Sequence, residues 1–290
     1  MLKSQSDHTE EISSIGVVGA GTMGTGIAYV GALTGCAVYV VESEPAATKR
    51  MWDALRDALE SGIKKGRITD SDSASLVSRI SALTHIDELP ESLDIVIETV
   101  PEDLALKIDV LTQIERRAPK VIASNTSALS IDELASAIHE PARFLGMHFF
   151  NPVWSIKLIE LVIGRDTGES ALHAAIQFSR QTKKEHLLVK DHPGFATSRL
   201  DLIASLEAIR MLEAGVASAT DIDRAAELAY GHPVGPLRLT DIVGLDVRLD
   251  IARVLEKSLG SRFAPPDLLV DMVNKGELGQ KSGKGFFEWA

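Results

Sequence analysis

Residues Ser14–Gly24 read Ser-Ile-Gly-Val-Val-Gly-Ala-Gly-Thr-Met-Gly, a short apolar run that ends in closely spaced glycines. The run is rich in β-branched residues and is typical of a buried strand. Gly19, Gly21 and Gly24 form a G-x-G-x-x-G pattern where a helix is expected to begin. Such a turn lets the backbone approach a pyrophosphate and presents the free N–H groups of the helix N-terminus to it. The stretch, with Thr22 and Met23 inside the turn, predicts a dinucleotide site on a Rossmann-type sheet.

A second apolar run, Ala37–Val41, ends at the acidic residue Glu42, 23 residues after Gly19. A carboxylate in this position accepts hydrogen bonds from the adenosine ribose and repels a 2′-phosphate. No arginine follows directly, since the next residues are Ser43-Glu44-Pro45. The pattern therefore favours NAD over NADP. The simpler alternative is a glycine-rich turn beside a solvated carboxylate.

Strand-like and helix-like stretches alternate through the first two thirds of the chain. Helices are predicted over Pro45–Ser61 and Glu102–Arg117. Alternation of this kind indicates a parallel sheet covered on both faces. The further predicted strands are Asp94–Val100, Val121–Ser124 and Phe144–Phe149, with Leu158–Gly164 and His186–Val189 as extensions of the sheet.

From about Asp191 the pattern becomes helical, with a Gly/Pro-rich break at Gly231–Pro236. We therefore predict an NAD-binding domain over 1–190 and a smaller all-helical substrate and dimerisation domain over 191–290. An apolar stripe between Leu202 and Leu212 suggests a homodimer formed through helices. The helices are predicted over Ser198–Glu213, Asp221–Tyr230, Leu245–Leu259 and Pro266–Lys275.

Composition excludes several classes of protein. The chain has 290 residues, 45% of them hydrophobic and 24% charged, as expected for a globular protein with real cores. Its net charge of −11 argues against broad nucleic-acid binding. The single Cys36 forms no intrachain disulfide, and no metal-binding cysteine pair exists. Met1–Glu11 is polar, without a signal-peptide core, and no apolar run could span a bilayer, so a cytoplasmic location without membrane contact is expected.

Polar residues stand at the ends of three later strands. Asn125 and Ser127 follow one strand, His148 lies near the end of the next, and Glu160 comes twelve residues after His148. Oxidation of an alcohol by NAD requires a base for the hydroxyl proton, and a histidine steadied by a carboxylate suits this task. The alternatives are a hydrogen-bonded core histidine and an exposed strand glutamate.

From Ile15 to Trp289 the sequence resembles the L-3-hydroxyacyl-CoA dehydrogenase family, in particular its bacterial 3-hydroxybutyryl-CoA members. The resemblance implies His148 as general base, Glu160 as its orienting partner and Ser127 as a contact to the substrate oxygen. It also implies cofactor contacts at Glu102, Lys107, Asn125, Ser127, Asn151 and Lys281, with Asn151 also near the substrate. The shared pieces are IGVVGAGTMGTGIA, ASNTS, GMHFFNP, KLIE, HPGF, YGHPVGP and KSGKGFFEW.

The sequence departs from the family's usual pattern in two places. The stretch Gly194–Arg199 carries Ser198 where the family usually has an asparagine that helps to place substrate. Serine reaches less far and lacks the amide's paired donor and acceptor. Trp154 and Ser155 replace smaller or apolar residues. A tryptophan here either shortens the acyl pocket or packs in a domain interface.

A basic cluster, Lys64-Lys65-Gly66-Arg67, follows the predicted helix Pro45–Ser61. Relatives hold the coenzyme A phosphates with basic residues in this region, so the resemblance implies that Lys64 and Lys65 contact an acyl-CoA. The alternative is a solvated cationic helix end that is favourable to the helix dipole.

The sequence thus predicts the NAD-dependent, reversible oxidation of a short (3S)-3-hydroxyacyl-CoA to the 3-oxoacyl-CoA. One alternative on the same scaffold is a dehydrogenase of free hydroxy or sugar acids, like the gulonate dehydrogenase branch. The other is a non-catalytic NAD-binding protein.

Overall fold

The computed structural model describes residues 11–66 and 68–289. The chain divides into two compact units, Met1–Asp191 and His192–Ala290. The predictions made on residues 1–10 and on Arg67 fall outside the described residues. No helix in the described part of the chain is long and apolar enough to cross a membrane.

A twisted sheet forms the centre of the first unit. The described residues contribute eight strands: β1 (Ser14–Val18), β2 (Ala37–Val41), β3 (Ile80–Leu83), β4 (Ile95–Glu98), β5 (Val121–Ser124), β6 (Phe144–Phe149), β7 (Leu158–Ile163) and β8 (Glu185–Lys190). Their order is β3-β2-β1-β4-β5-β6-β7-β8. The strand order reverses between β1 and β4, and ligands of open α/β sheets bind in the crevice at such a reversal. This topology confirms the predicted Rossmann-type fold.

Helices pack on this sheet and close its core. The helices of the first unit are α1 (Thr22–Leu33), α2 (Pro45–Lys64), α3 (Asp70–Ser78), α4 (Leu104–Glu115), α5 (Ile131–Ala135) and α6 (Glu169–Gln181). The apolar side chains of β1 and β4 and the three valines of β2 are almost completely buried, as are Ile27 on α1, Leu55 on α2 and Phe178 on α6. The near-continuous apolar strands are therefore explained by cover from helices.

One part of the sheet differs from the prediction of a parallel sheet. Strands β1 to β6 are parallel, but β7 pairs with β6 in the antiparallel sense, and β8 then runs parallel to β7. Only residues 150–157 connect β6 to β7. A parallel crossover needs a dozen or more residues, so this short connection forces the chain to turn back.

The second unit is helical, as predicted. Its helices are α7 (Thr197–Glu213), α8 (Ala219–Tyr230), α9 (Pro236–Val243), α10 (Leu245–Leu259) and α11 (Asp267–Asn274). The stripe on α7 that suggested a dimer faces inward, since Leu202, Leu206 and Ile209 are fully buried in this unit's own core. The stripe therefore gives no support to a dimer, which stays a prediction.

The C-terminal motif of the chain is tied to α9 by one buried carboxylate. Asp241 accepts hydrogen bonds from the backbone N–H groups of Phe286 and Phe287 and from the Trp289 indole, at 2.8–2.9 Å. A Cβ added at Gly285 would collide with the same carboxylate. Much of the motif that ends in Gly-Phe-Phe-Glu-Trp therefore has a structural purpose.

Candidate active site

The glycine turn lies between β1 and α1, where the strand order reverses. Gly19 has φ +106°, a conformation that favours glycine. A Cβ added at Gly24 would collide with the carbonyl oxygen of Gly19, whereas one added at Gly21 would meet no atom within 4 Å. The protein therefore packs closely against Gly24, whereas the space beside Gly21 is open. Such a turn suits a ligand that lies against the backbone at Gly21.

A cleft of about 690 Å³ opens beside this turn. Its walls include the apolar side chains of Ile86, Leu106 and Val110, together with Arg50 and His85. An apolar slot beside a polar turn suits a flat base joined to a phosphate group. Sequence reasoning missed these lining residues, because they lie outside the local motif and come together only in the fold.

Glu42 is fixed at the rim of the cleft. One carboxylate oxygen accepts from the backbone N–H of Ala20 in the glycine turn, and the other accepts from the N–H of Glu44, both at 3.0 Å. Each oxygen retains a second lone pair that can accept a hydrogen bond from a ribose hydroxyl. No acidic residue lies in the first turn of α1, so the positive end of its dipole is not neutralised locally. The cradle fits a dinucleotide.

His148 and Glu160 lie opposite each other on β6 and β7. His148 Nδ1 and Glu160 Oε2 are 2.9 Å apart, and both residues are buried. The pairing of the two strands thus brings together residues that are twelve positions apart in sequence. The Phe150 ring packs against the imidazole, with ring centroids 4.4 Å apart.

The carboxylate determines which nitrogen of His148 can act as a base. An ionised carboxylate only accepts hydrogen bonds, so Nδ1 of the neutral ring must carry the proton that Glu160 receives. The acceptor lone pair is then on Nε2. When the ring takes up a second proton, the adjacent carboxylate stabilises the imidazolium. The contact with Glu160 therefore leaves Nε2 as the ring nitrogen with a basic lone pair.

Ser127 lies in a turn that follows β5 and is held by Glu102. One oxygen of Glu102 accepts from the Thr126 hydroxyl at 2.5 Å and from the backbone N–H groups of Ser127 and Ala128 at 3.0 Å. In this structure Glu102 thus holds the turn that carries Ser127. The sequence assigned Glu102 only to the cofactor and missed this second purpose.

Lys107 is almost completely buried on α4. Its ammonium group lies 2.7 Å from a carboxylate oxygen of Glu98, 3.0 Å from the Val100 carbonyl and 3.3 Å from the second oxygen of Glu102. Burial raises the pKa of the Glu98 carboxyl, although hydrogen bonds from Lys107 and Ser124 act in the opposite direction. The predicted cofactor contact Lys107 is therefore engaged with two carboxylates of its own unit.

Hydrogen bonds anchor the loop after β6 at its start and near its end. The Asn125 side-chain oxygen accepts from the backbone N–H of Phe149 at 2.9 Å, which joins the ends of β5 and β6. Lys184 is buried and donates to the carbonyls of Val153 and Ile156 at 2.5 and 2.6 Å. Burial lowers the pKa of Lys184. These contacts fix the loop that also presents the exposed Asn151.

The basic residues Lys64 and Lys65 lie at the C-terminal end of α2 and are exposed. Lys65 lines a small cavity of about 120 Å³ with Tyr29, Ser61 and Trp154. The Tyr29 and Trp154 rings meet edge to face, with centroids 5.9 Å apart. This part of the first unit therefore offers both aromatic surface and positive charge.

The remaining predicted residues belong to the second unit. Ser198 lies in the first turn of α7. Lys281 forms an ion pair with Asp246, with 2.6 Å between the charged groups. Within the described part of the chain, no cluster of three or more histidine, cysteine, aspartate or glutamate side chains could hold a metal ion.

The Rossmann-type sheet, the glycine cradle and the carboxylate at the end of β2 define a dinucleotide-dependent dehydrogenase. Residues 14–192 match the family described as 3-hydroxyacyl-CoA dehydrogenase, NAD binding domain, and residues 194–289 match its C-terminal domain. The chain belongs to the 3-hydroxyacyl-CoA dehydrogenase family. It is an NAD-dependent oxidoreductase, which sets aside the non-catalytic alternative.

Individual relatives agree over almost the full length of the chain. A probable 3-hydroxybutyryl-CoA dehydrogenase of Bacillus subtilis is 38% identical over 282 residues, which are 96% of this chain and 98% of that protein. The crystal structure of (S)-3-hydroxybutyryl-CoA dehydrogenase PaaH1 from Ralstonia eutropha is 39% identical, with a TM-score of 0.91, and the match covers 97% of this chain and 100% of that one. FadB2 of M. tuberculosis gives 37% identity, a TM-score of 0.92 and the same coverage.

Proposed function

We propose that this protein catalyses the reversible oxidation of a short-chain (3S)-3-hydroxyacyl-CoA, such as 3-hydroxybutyryl-CoA, to the 3-oxoacyl-CoA. The observation that carries the proposal is the buried contact between His148 Nδ1 and Glu160 Oε2 at 2.9 Å. Further support comes from relatives named for 3-hydroxybutyryl-CoA that align over nearly the whole chain.

His148 acts as the general base. Its Nε2 accepts the proton of the substrate's 3-hydroxyl group during oxidation and returns it during reduction. Glu160 holds the ring in the required tautomer and offsets the positive charge that forms. NAD, held by the glycine turn and Glu42, would supply the acceptor for the hydride that leaves carbon 3 of the substrate. In reduction the imidazolium is the acid, so one histidine serves both directions.

The substrate oxygen is placed by hydroxyl groups. Ser127 is suited to this task because Glu102 fixes its backbone, with the Ser127 N–H 3.0 Å from the Glu102 carboxylate. Ser198 supplies a second hydroxyl in place of the family's usual amide. Because serine is shorter, we expect the pocket to retain a gap or a water there.

The coenzyme A portion is held by positive charge. Lys64 and Lys65 are exposed at the end of α2, where flexible ammonium groups can reach phosphates. The nearby Trp154 limits the room for the acyl group and favours a short chain. Lys65 and Trp154 line the same small cavity, and the positive charge there supports the coenzyme A assignment.

We assign a different function to each of the two units. We assign cofactor binding to an N-terminal domain over 1–190, and substrate closure and dimer formation to the domain over 191–290. The protein is proposed to be a cytoplasmic homodimer. The large exposed fractions of Leu228 and Tyr230 on α8, 75% and 80%, support an apolar contact made by this domain. The cofactor contacts are proposed at Gly19, Gly21, Thr22, Met23, Gly24, Glu42, Glu102, Lys107, Asn125, Ser127, Asn151 and Lys281.

The direct test follows NADH absorbance with acetoacetyl-CoA as substrate. We expect turnover with the CoA ester and little with free acetoacetate, and a specificity constant that falls as the acyl chain lengthens. His148→Ala should lower kcat by about 100- to 10,000-fold, the usual contribution of a general base. His186→Ala, on β8, serves as the matched histidine control. Equal rates with the ester and the free acid would refute the CoA assignment, and a His148→Ala rate within a few-fold of the wild type would refute the base.

A further inference from the structure

Glu98 is a buried carboxylate that belongs to none of the assigned contacts. It is the last residue of β4, has no exposed surface and lies beside Ser124 in the register of β4 and β5. Its two oxygens accept hydrogen bonds from the Val100 backbone N–H, the Lys107 ammonium and the Ser124 hydroxyl. The contacts with Lys107 and Ser124 lead to the turn that carries Ser127.

The first route runs through α4. One Glu98 oxygen lies 2.7 Å from the Lys107 ammonium, which lies 3.3 Å from Glu102. Glu102 in turn accepts hydrogen bonds from the Thr126 hydroxyl and the Ser127 backbone N–H. The Val100 carbonyl takes the third contact of the ammonium at 3.0 Å. Two hydrogen bonds and one ion pair therefore restrain the position of the Lys107 ammonium group.

The second route runs through β5. The other Glu98 oxygen accepts from the Ser124 hydroxyl at 2.6 Å, and Ser124 Oγ accepts from the Thr126 backbone N–H at 3.2 Å. The backbone carbonyl of Glu98 also accepts from the Asn125 N–H at 2.9 Å. Two chains of polar contacts, one of them through the Lys107–Glu102 ion pair, therefore run from one carboxylate to Thr126.

We propose that Glu98 is a positioning residue for the reaction: through Lys107 with Glu102, and through Ser124, it places the turn Asn125–Ala128 for cofactor and substrate. The inference rests on the proposed function, in which this turn contacts both. Glu98 itself touches neither ligand, because it has no exposed surface.

The charge of Glu98 is central to this role. Two carboxylates share one ammonium, so Glu98 balances the attraction that Glu102 exerts on Lys107. Glu98→Gln keeps the size and the ability to hydrogen-bond but removes the charge. Lys107 should then move toward Glu102 and draw that carboxylate away from the Thr126 hydroxyl and the Ser127 N–H. A misplacement of about 1 Å at a remote residue can cost about 100-fold in rate.

The test compares two carboxylates at the two ends of one strand. Asp94 immediately precedes β4, is also buried and is hydrogen-bonded to Ser13 and Ser14, far from the turn. Asp94→Asn is therefore the matched control for loss of a buried charge. Fluorescence titration measures the dissociation constant of NADH. Steady-state kinetics with acetoacetyl-CoA give kcat and KM, and thermal unfolding gives Tm.

We expect Glu98→Gln to raise the NADH dissociation constant by about 10-fold and to lower kcat by about 10- to 100-fold. Asp94→Asn should lower Tm and leave the NADH dissociation constant within twofold of the wild type. If both variants bind NADH as the wild type does and keep its kcat, Glu98 is merely structural and the inference is overturned.

A second variant keeps the test decisive if Glu98→Gln does not fold. Ser124→Ala cuts only the β5 route. It removes the hydrogen bonds of the Ser124 hydroxyl to Glu98 and from Thr126, which should weaken NADH binding by about 2- to 10-fold. No change would overturn the inference. NADH binding needs no turnover, so a wild type inactive on acetoacetyl-CoA would refute the proposed function and leave this comparison valid.

Discussion

His148 and Glu160 are directly opposed across the antiparallel pair of β6 and β7, with Nδ1 and Oε2 2.9 Å apart. Opposed residues in such a pair have Cβ atoms about 4.5–5.5 Å apart, so strand register alone brings the two side chains into contact. No loop is needed to form the pair. A shift of one residue in either strand would turn one partner to the opposite face of the sheet.

Glu160→Gln should lower kcat by at least about 100-fold with little change in KM. The amide fills the same space, but it can no longer stabilise the imidazolium that forms on His148. Steady-state kinetics with acetoacetyl-CoA and NADH measure this effect. Combining Glu160→Gln with His148→Ala should cost little more than His148→Ala alone. Additive losses would show that the two residues act separately.

Two glycines of the cofactor turn should respond differently to alanine. A Cβ at Gly24 would collide with the Gly19 carbonyl, whereas a Cβ at Gly21 meets no protein atom within 4 Å. Gly24→Ala should therefore lower both Tm and NADH affinity. Gly21→Ala should leave Tm unchanged and weaken NADH binding by about tenfold or more, since the methyl group occupies the side open to a pyrophosphate. Unimpaired NADH binding by Gly21→Ala would place the cofactor elsewhere.

Lys65→Met should raise the KM for acetoacetyl-CoA about fivefold, the scale of one exposed charge contact. The KM for an acetoacetyl-pantetheine thioester, which lacks the CoA phosphates, should stay unchanged. Lys257→Met is a suitable control, because Lys257 is also exposed in the last turn of a helix, α10. If both variants change only Tm, the cations serve the helix dipole and not coenzyme A.

Asp94 should make the fold sensitive to acid. Burial alone would raise the pKa of its carboxyl, but hydrogen bonds from Lys120, Ser13 and Ser14 lower it from 3.8 to about 2. A lowered pKa means that ionised Asp94 stabilises the fold above about pH 4. That contribution, about 2 kcal/mol, is lost as the pH falls toward 2.

Urea unfolding at several pH values checks this expectation. The difference in free energy of unfolding between wild type and Asp94→Asn should have its largest value at pH 7 and be smaller at pH 3. The exposed Glu60, changed to glutamine, provides the comparison. A difference that does not depend on pH would mean that the charge of Asp94 contributes nothing.

The parts of the fold that were predictable are those encoded by neighbouring residues. The apolar run before Gly19 and the acidic residue after β2 identify a Rossmann-type unit, because strand, turn and helix follow one another directly. The direction of β7 could not be inferred in the same way. A buried apolar strand has the same composition in either direction, and only the short connection 150–157 indicates the reversal.

The sequence did not predict β3 or α9, because their local signals are weak or ambiguous. β3 (Ile80–Leu83) is four residues long and has exposed positions, so it carries little apolar signal. α9 begins at Pro236, inside a stretch predicted as a break. Proline is favoured at the first position of a helix, and this signal was overlooked.

In the candidate site, too, the sequence identifies some residues directly, whereas others are recognised only once the fold brings them together. The sequence singled out His148 and Glu160, and the structure brings them together. The network of Glu98, Lys107 and Glu102 depends on partners from a strand, a helix and a loop, and no local spacing reveals it. The available signal was chemical: the apolar strand β4 ends in a glutamate, and such a charge needs a buried partner.

Under the proposed function, the short connection between β6 and β7 separates the residues that transfer the proton from those that select the substrate. The proton-transfer pair is carried by the strands on either side, while Trp154 and its neighbours lie on the segment between them, which Lys184 holds at two carbonyls. Under the proposed function, variation confined to side chains 154–156 reshapes the acyl pocket and leaves the dyad undisturbed. A library restricted to these positions should yield enzymes with altered chain-length profiles and native pH–rate curves, which makes this hairpin tip the natural starting point for engineering.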